Sequence, residues 1–467
     1  MIKRSVWGVL LNLVNTLLGL IIIPVIIQTI GVKDYAIIGL YLTIQSIVLV
    51  LEGGIGIETL RAVVKSGFEP ELSQQKNLYK LISYLSTLIS FTASLIVFSS
   101  WELSGTSSFL LSTLISLSIY FRLFSGFYKA QLFGLNKHNV VFGLNIPLFV
   151  IRFVLPLLIS KNIITFMLFG LISSIAELYY LKFCIKKELN YCPSVNEDFF
   201  EIFKNLSIPK TEISISLASL LGILLMNVDK LILSAQLTQS GFGQYQSIFA
   251  IATGVFLVIG PVNSIFQPIL INNFHKKLDF EGIFNVYFIL ISLVVWFVQS
   301  ILILFYKEIT TIWLGSEITL NSSILKDLTL FGYSLFLFGI GFMLSIISSL
   351  FEDYIRLSSI CLMIQLPIWY FGLTILDLGH LVVLNAIVIS ILGTFLIKTK
   401  INKLKTKIDW KIIPTGIIII TTLILFYFFK EDDLFTRVII LLSAILLHLF
   451  TLKNLIHKYW RVLKVLE

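Results

Sequence analysis

Residues 23–41 read IPVIIQTIGVKDYAIIGLY, in which two apolar runs meet at the short polar stretch GVKDY, residues 31–35. Each run extends outward to about the 20 residues that a helix needs to cross a bilayer. A second stretch, GFGQY at 241–245, lies between two further apolar runs and repeats the Gly and the Tyr at the same spacing. We therefore expect a tight helix–helix turn at both places, with Gly supplying a positive φ and Tyr lying at the membrane interface.

The composition indicates that most of the chain lies in a membrane. Of 467 residues, 57% are hydrophobic and only 13% are charged, whereas a soluble domain has roughly 25% charged residues. Because the bilayer leaves no water for an open backbone, the spans must be helical, and we predict an all-α, polytopic membrane protein. The three cysteines and five histidines show no metal-ligand spacing, so we expect no metal and no cofactor.

Fourteen apolar runs are long enough to span a bilayer. We place them at 5–30, 36–56, 81–101, 108–135, 140–159, 163–183, 208–236, 242–271, 284–305, 326–351, 356–376, 380–397, 412–429 and 434–452. The last two are short, so twelve spans and a variable C-terminal pair is an alternative count.

The distribution of Lys and Arg predicts the orientation of these spans. With the N-terminus in the cytoplasm, the inside segments carry 25 Lys and Arg residues and the outside segments carry 6. This bias is what the positive-inside rule expects, so we predict that both termini are cytoplasmic. The net charge of +9 therefore reflects orientation rather than nucleic-acid binding. The basic stretch KTKINKLKTKIDWK at 398–411 is predicted to be an inside loop near lipid head groups.

The GVKDY and GFGQY stretches, which we call the two corner stretches, also predict an internal repeat. Each follows the first span of a group of six, and both face outside, which favours two bundles related by a pseudo-two-fold axis along the membrane normal. The expected domains are an N-terminal six-helix bundle, a cytoplasmic linker, a C-terminal six-helix bundle, and a basic loop with helices 13 and 14 and a cytoplasmic tail. Their limits are 1–183, 184–207, 208–397 and 398–467.

Basic residues occur at mid-depth in two consecutive spans, where a charge costs roughly 2.5–3.5 kcal/mol on insertion scales. Arg122 lies near the middle of the fourth span and Arg152 near the middle of the fifth. Helical spacing places polar residues on one face of the fourth, fifth and seventh spans. These faces carry Ser118, Arg122, Ser125 and Lys129; His138, Asn145 and Arg152; and Glu212, Ser216, Ser219, Asn227 and Lys230. Lipid would not tolerate such stripes, so we expect them to face inward.

These residues predict a cavity that receives an anion, because the two positively charged arginines outnumber the one nearby carboxylate. Arginine favours phosphate in particular, since its planar guanidinium donates two parallel hydrogen bonds. The predicted binding residues are Arg122, Arg152, Lys230, Lys129 and Asn145. The acidic residues Glu177, Asp229 and Glu52 are candidates for ion coupling or for salt bridges. The alternative is packing alone, in which Arg152 pairs with Glu177, Asp229 pairs with a basic neighbour, and Ser and Asn join helices.

The sequence argues against direct use of ATP, because it has no Walker A motif. It shows no catalytic constellation, and the longest outside segment, 306–325, is too short for a soluble catalytic domain. Prolines inside the spans are expected to kink or loosen them: Pro24, Pro147, Pro156, Pro261, Pro268 and Pro367. Two bundles with kinked helices could rock about a central site, so we predict a transporter rather than an enzyme.

Several stretches resemble the polysaccharide-exporter branch of the multidrug/oligosaccharidyl-lipid/polysaccharide flippase superfamily, of the O-antigen flippase type. They are IPVIIQTIGVKDYAIIGLY, LEGGIGIETLRAV, NVDKLIL followed by GFGQYQSIFAIA, and TTIWLGSEI. The family's acidic-x-Gly segment falls on Glu52, Gly54 and Arg61, although relatives more often have Asp where Glu52 stands. The acidic residue of the seventh helix falls on Asp229, and the outer-loop tryptophan falls on Trp313.

The resemblance implies two six-helix bundles around a cavity and alternating-access transfer of an undecaprenyl-diphosphate-linked oligosaccharide. The transfer would run from the inner to the outer leaflet of a bacterial cytoplasmic membrane, for O-antigen or other surface polysaccharide synthesis. We expect a monomer whose partners are that lipid-linked oligosaccharide and the bilayer. Association with a polysaccharide polymerase and chain-length proteins, and coupling to a proton or sodium gradient, are left open.

Three other functions are alternatives to this hypothesis. A multidrug exporter of the same superfamily would bind organic cations and needs acidic rather than basic residues at mid-depth. A flippase for a peptidoglycan or teichoic-acid precursor would share the charge pattern. From a different class, a membrane-embedded glycosyltransferase or polymerase would incorporate sugar, which a transporter does not.

Overall fold

The computed structural model describes residues 2–50, 56, 59, 63, 70–135, 137–160, 162–189, 210–275, 280–315, 323–404 and 436–443. Nearly all of the described residues are helical, with no strand among them, which confirms the predicted fold class. The chain divides into two compact units, Met1–Gln246 and Ser247–Glu467. This division lies inside a helix, and the bundle limits and pseudo-two-fold expected from the sequence stay predictions.

The described part of unit 1 contains seven α-helices, the start of an eighth and one π-helical turn. The α-helices are α1 (Ile2–Val50), α2 (Pro70–Ser100), α3 (Gly105–Gly134), α4 (His138–Phe149), α5 (Leu155–Ile159), α6 (Ile163–Leu189), α7 (Lys210–Gln236) and α8 (Gln239–Ala252), and the π-helical turn is Val150–Val154. Helix α3 packs against α2 and α6, and α1 packs against α4 and α7. A hydrophobic core around Phe127 and Leu181 joins α2, α3, α4 and α6.

The GVKDY stretch is a kink inside α1. Gly31 has φ 85° and ψ 161°, which splits α1 into two helices. A positive φ favours glycine because it has no Cβ, so the predicted turn and its glycine are confirmed here. The ring of Tyr35 is only 2% exposed, so the prediction that this tyrosine meets water is wrong.

The GFGQY stretch differs, because it lies in the first turns of α8. The chain turns just before it, at 237–238, and the Thr238 hydroxyl accepts a hydrogen bond from the Gly241 N–H at 3.2 Å. Gly241 has no positive φ, so the prediction of a left-handed glycine is wrong at this position. The ring of Tyr245 is also fully buried.

The two corner stretches pack directly against each other. A Cβ on Gly243 would clash with the carbonyl oxygen of Val32, and the Gln239 amide donates to the Lys33 carbonyl at 2.8 Å. The second glycine of GFGQY is therefore set by close backbone approach rather than by a turn. The repeated motif marks one shared corner of unit 1.

Between residues 253 and 404, unit 2 follows α8 with six further helices. These are α9 (Phe256–His275), α10 (Phe280–Leu304), α11 (Tyr306–Leu314), α12 (Ile324–Ser348), α13 (Glu352–Gly372) and α14 (Leu378–Leu404). Helix α12 packs closely against α14, where Gly341 and Gly393 leave room for Leu396 and Leu337. Helices α9, α10 and α12 enclose a second hydrophobic core.

The predicted span 242–271 is not one helix. It is interrupted at 253–255, between α8 and α9. The Gly254 N–H bonds to Ile251 three residues back and the Phe256 N–H bonds to Thr253, which is a tight turn rather than an α-helical register. Thr253 and Gly254 are poor helix formers, and they interrupt the helix although the surrounding apolar pattern is continuous.

Ten helices among the described residues are long and apolar enough to cross a membrane. The count treats α1 as one span from Leu18 to Leu49, although Gly31 divides it. The predicted span 412–429 and most of 434–452 lie outside the described residues, so the total of fourteen stays a prediction.

Ion pairs connect the ends of the helices in unit 2. The Arg437 guanidinium, in the helical segment 436–443, donates to both carboxylate oxygens of Glu308 at 3.0 and 2.8 Å. Lys403 and Lys400 lie 2.8 and 3.4 Å from the Asp353 carboxylate. Each ion pair joins two segments that the predicted topology places on the same side of the membrane. Which side is cytoplasmic stays a prediction.

Candidate functional site

Arg152 lies in the π-helical turn Val150–Val154. The N–H of Leu155 bonds to the carbonyl of Val150, five residues back. Pro156 has no N–H to give the Arg152 carbonyl and would clash with it in an α-helical register, so the wider turn relieves both problems. Such turns often occur at functional sites. The pair of prolines flanking Arg152, Pro147 and Pro156, is the sequence signal for this distortion.

The Arg152 side chain is buried and held by one serine. Its Nε and Nη2 groups donate to the Ser173 hydroxyl oxygen on α6 at 3.1 and 3.0 Å. The Ser173 hydroxyl donates in turn to the Gly170 carbonyl at 2.7 Å. Both lone pairs of that oxygen are thus used, which fixes the guanidinium against α6 and leaves its Nη1 group uncommitted to Ser173.

Glu177, one helical turn after Ser173, forms its ion pair with Lys129 rather than with Arg152. The Lys129 Nζ on α3 lies 2.5 Å from one carboxylate oxygen of Glu177, which is 2% exposed. The other oxygen has no hydrogen-bond partner within the described chain. The alternative in which Arg152 merely balances Glu177 is therefore wrong about the direct partner.

Arg122 lies seven residues before Lys129 on the same face of α3. Both Arg122 and Arg152 are close enough to interact with the charge of Glu177, and they also interact with each other. The Arg122 side chain is half-buried, and no described residue forms a hydrogen bond or an ion pair with its guanidinium. Arg122, Lys129 and Arg152 around Glu177 form what we call the basic cluster, with three basic groups and one acidic group.

Two more polar residues belong to the surroundings of this cluster. Tyr41 on α1 is 4% exposed and interacts electrostatically with Arg152, and its hydroxyl has no hydrogen-bond partner among the described residues. Tyr41 was not among the residues predicted from the sequence, although a tyrosine in the middle of an apolar run indicates a polar group inside the membrane. The predicted residue Asn145 is half-buried on α4, which packs against α6 and the π-helical turn.

A second polar group, on α7 and α8, is separate. Asp229 is fully buried and accepts a hydrogen bond from the Tyr245 hydroxyl at 2.5 Å. Lys230 donates to the Asn227 side chain at 2.7 Å and to the Met226 carbonyl at 2.8 Å. Helix α7 packs on α1 and α2, whereas α3, α6 and the π-helical turn supply the basic cluster. The prediction that Lys230 binds an anion together with Arg122 and Arg152 stays a prediction.

The remaining predicted positions contribute less. Glu52, with Gly54 and Arg61, lies outside the described residues, as do the side chains of His138 and Glu212. Ser118 and Ser125 are buried and donate to carbonyls of their own helix, so the inward orientation expected for α3 is confirmed. Trp313 lies half-buried on α11.

The fold can be compared with known structures. Neither a family model nor a curated protein sequence matches the chain. An inward-facing multidrug resistance MATE family transporter of the MOP superfamily is 16% identical, with a TM-score of 0.61 over 84% of this chain and 94% of that one. A mutant of the Vibrio cholerae MATE transporter VcmN is 15% identical, with a TM-score of 0.59 over 86% of this chain and 96% of that one.

An outward-facing MATE transporter gives 14% identity and a TM-score of 0.55 over 87% of this chain and 97% of that one. These identities are low, and the coverage is high on both sides. The likeness therefore concerns architecture: the chain is an all-α, multi-pass membrane protein with the fold seen in MATE transporters.

Proposed function

We propose that the protein is a membrane transporter that flips an undecaprenyl-diphosphate-linked oligosaccharide across the bacterial cytoplasmic membrane, for O-antigen or other surface polysaccharide synthesis. The observation that carries the proposal is the basic cluster, in which Arg122 and Arg152 at mid-helix positions and Lys129 nearer the end of α3 surround one carboxylate. A low-dielectric interior makes such an imbalance costly. An anionic ligand would offset that cost.

The geometry favours a phosphate-like group in particular. Arg122 has no described partner, and Arg152 uses Nε and Nη2 on Ser173, so an Arg122 fork and the Nη1 group of Arg152 remain for a ligand. Guanidinium groups bind phosphate oxygens through paired, charge-assisted hydrogen bonds. The Tyr41 hydroxyl would supply a further donor. The resemblance in the sequence to polysaccharide exporters supports the same conclusion, and the fold shared with MATE transporters supports transport in general.

The acidic residues fit a role in energy coupling within this proposal. Glu177 is the carboxylate that competes with an incoming anion for the basic cluster, and Asp229 is a fully buried acid with one oxygen lacking a described partner. Uptake of a proton by either residue would change the local charge by one unit. We therefore propose coupling to a proton or sodium gradient. The proposal also includes an inner-membrane location with cytoplasmic termini, and function as a monomer.

A complementation experiment tests the proposal. The native gene is deleted, and wild-type protein, Arg122→Ala or Arg152→Ala is expressed from a plasmid while surface glycan and membrane insertion are measured. We expect the wild type to restore the glycan and both variants to insert but to restore much less. Normal glycan in the deletion strain, or full rescue by both variants, would refute the proposal. Incorporation of radiolabelled sugar by the purified protein would instead indicate a glycosyltransferase or polymerase.

A multidrug exporter is the second candidate, and the specific observation in its favour is Asp229. A buried acid can bind a proton or an organic cation, and MATE transporters with this fold include multidrug resistance proteins. Expression in a drug-sensitive host separates the two candidates. Increased resistance to cationic drugs, abolished by Asp229→Asn and unaffected by Arg122→Ala, would favour drug export over transport of a lipid-linked oligosaccharide.

A further inference from the structure

The exposed side of α6 changes in character along its length. Leu168 and Ile172, in the first half of the helix, are 42% and 48% exposed, and Tyr179 and Phe183 further along are each 64% exposed. Lys186 follows in the last turn and is also exposed. These five residues are spaced so that they share one side of an α-helix. That side therefore passes from aliphatic to aromatic to basic toward the C-terminal end of α6.

Further lysines widen the basic end. Lys182, Lys186 and Lys187 are all exposed, and no described residue forms a hydrogen bond or an ion pair with their ammonium groups. A helix dipole favours cations in the last turn only, so it accounts for Lys186 and Lys187 but not for Lys182. We define the aromatic–basic face of α6 as Tyr179, Tyr180, Lys182, Phe183, Lys186 and Lys187.

The opposite side of α6 fixes the orientation of this face. Leu178, Leu181 and Ile185 are buried in the core that also contains Tyr79 of α2 and Phe127 of α3. They lie across the helix from the aromatic and basic residues. The aromatic–basic face is therefore turned away from this core and toward the surroundings of unit 1.

Helix α2 repeats the same order of residues at the same level of unit 1. Tyr79, which shares the core with Leu181, is followed by the exposed Lys80. Tyr84, one turn further along α2, is 49% exposed. In both helices the lysine lies nearer the end of the helix and the exposed tyrosine nearer its middle. The arrangement thus follows depth along the bundle rather than the sequence of one helix.

Lysines near the end of α14 are neutralised by the protein itself. Lys403 and Lys400 lie 2.8 and 3.4 Å from the Asp353 carboxylate. In the described part of the chain, no carboxylate does the same for the three lysines of the aromatic–basic face. Their ammonium groups are open to an anion from the surroundings.

We propose that the aromatic–basic face binds the head groups of anionic phospholipids. The aliphatic, aromatic and basic parts of α6 match the acyl chains, the interface and the phosphate layer of one leaflet, because tyrosines concentrate at the interface and lysines extend from it to the head groups. Each lysine near an anionic bilayer surface adds to the attraction. The exposed Leu168 and Ile172 on the same side favour lipid over a soluble partner. The proposal is independent of the transported substrate.

Stepwise binding of phosphatidylglycerol to the full chain, followed by native mass spectrometry, tests the proposal. We expect the wild type to bind phosphatidylglycerol more tightly than the neutral phosphatidylcholine. The triple variant Lys182→Gln, Lys186→Gln, Lys187→Gln should bind phosphatidylglycerol at least about tenfold more weakly. No preference for the anionic lipid in the wild type, or an unchanged affinity in the triple variant, would overturn the proposal.

A matched control removes the same number of positive charges elsewhere. The triple variant Lys33→Gln, Lys307→Gln, Lys326→Gln changes lysines outside the aromatic–basic face and should bind phosphatidylglycerol as the wild type does. An equal loss of affinity in this control would mean that net charge alone attracts the lipid, and would refute a specific surface on α6.

The aromatic part of the face separates a lipid from a free anion. Phe183→Gln keeps every lysine but removes a ring that is 64% exposed, so it should weaken phosphatidylglycerol binding by at least about threefold. Unchanged binding by Phe183→Gln, together with displacement of the lipid by inorganic phosphate, would show that the lysines bind free anions and would contradict the proposal.

Discussion

Unit 1 and unit 2 bury polar side chains in different ways. In unit 1, Arg122 and Arg152 lie in the middle of helical segments and, with Lys129 nearer the end of α3, surround the carboxylate of Glu177. In the described part of unit 2, the fully buried polar side chains include the uncharged Gln299, Gln365 and Asn385, and the charged pairs of Arg437 and Asp353 lie near helix ends. Charge that is unbalanced at mid-helix stabilises nothing by itself. The difference supports the proposal that unit 1 binds an anion and that the charges of unit 2 have a structural role.

The largest expected effect in this comparison is on the stability of unit 1. Lys129→Ala removes the direct partner of a carboxylate that is 2% exposed, and leaving a buried charge unpaired costs about 3 kcal/mol. We expect a matching fall in stability, measured by thermal unfolding in detergent. The double variant with Glu177→Gln should recover most of the loss. A single variant as stable as the wild type would show that Arg122 and Arg152 already neutralise Glu177.

A smaller effect is expected for the charge pair of unit 2. Arg437→Ala removes two hydrogen bonds to Glu308 and one to the Leu304 carbonyl. Because Glu308 is 40% exposed, we expect a loss of only about 1 kcal/mol. A loss as large as that of Lys129→Ala would remove the contrast between the two units.

The pH dependence of this pair has a defined sign. Burial alone would raise the pKa of Glu308, but the hydrogen bond from Arg437 and the charges of Arg437 and Lys307 lower it on balance. A lowered pKa in the folded state contributes stability above the unfolded value, about 4.3, which is lost as the pH falls through the folded value. Stability should therefore fall less on acidification in Arg437→Ala than in the wild type, as measured by unfolding between about pH 6 and pH 3. Parallel profiles would contradict this account.

The smallest expected effect on stability is that of Arg122→Ala. No described residue forms a hydrogen bond or an ion pair with its guanidinium, so truncation should change the free energy of unfolding by less than about 0.5 kcal/mol. Unfolding of the purified variant beside the wild type measures this. A loss of several kcal/mol would mean that Arg122 holds the fold together, and would weaken the argument that it is kept for a ligand.

The sequence predicted the features that depend on local pattern. Apolar runs indicated the all-helical membrane fold, Gly31 indicated the kink, and seven-residue spacing placed Arg122 and Lys129 on one face of α3. Contacts between helices could not be predicted from the sequence. The choice of Lys129 over Arg152 as the partner of Glu177 depends on how α3, α6 and the π-helical turn are rotated relative to each other, and spacing along one helix does not encode that rotation.

Two further misses have the same origin. The Tyr of GFGQY was assigned to the membrane interface, but Tyr245 is buried and holds Asp229, which only the packing of α8 on α7 reveals. The second is the burial of Gln299, Gln365 and Asn385. Each is a single polar residue in an apolar run, and the run alone does not show which side of its helix packs inward.

The most direct test of the central claim is equilibrium binding of farnesyl diphosphate to the protein in nanodiscs. We expect the wild type to bind and Arg122→Ala to bind at least about tenfold more weakly, because a charge-assisted hydrogen bond is worth about 1.5–3 kcal/mol. Arg356→Ala, which changes an exposed arginine of unit 2, should bind as the wild type does. Equal affinities for the wild type and Arg122→Ala, or no binding by the wild type, would contradict an anion site in unit 1.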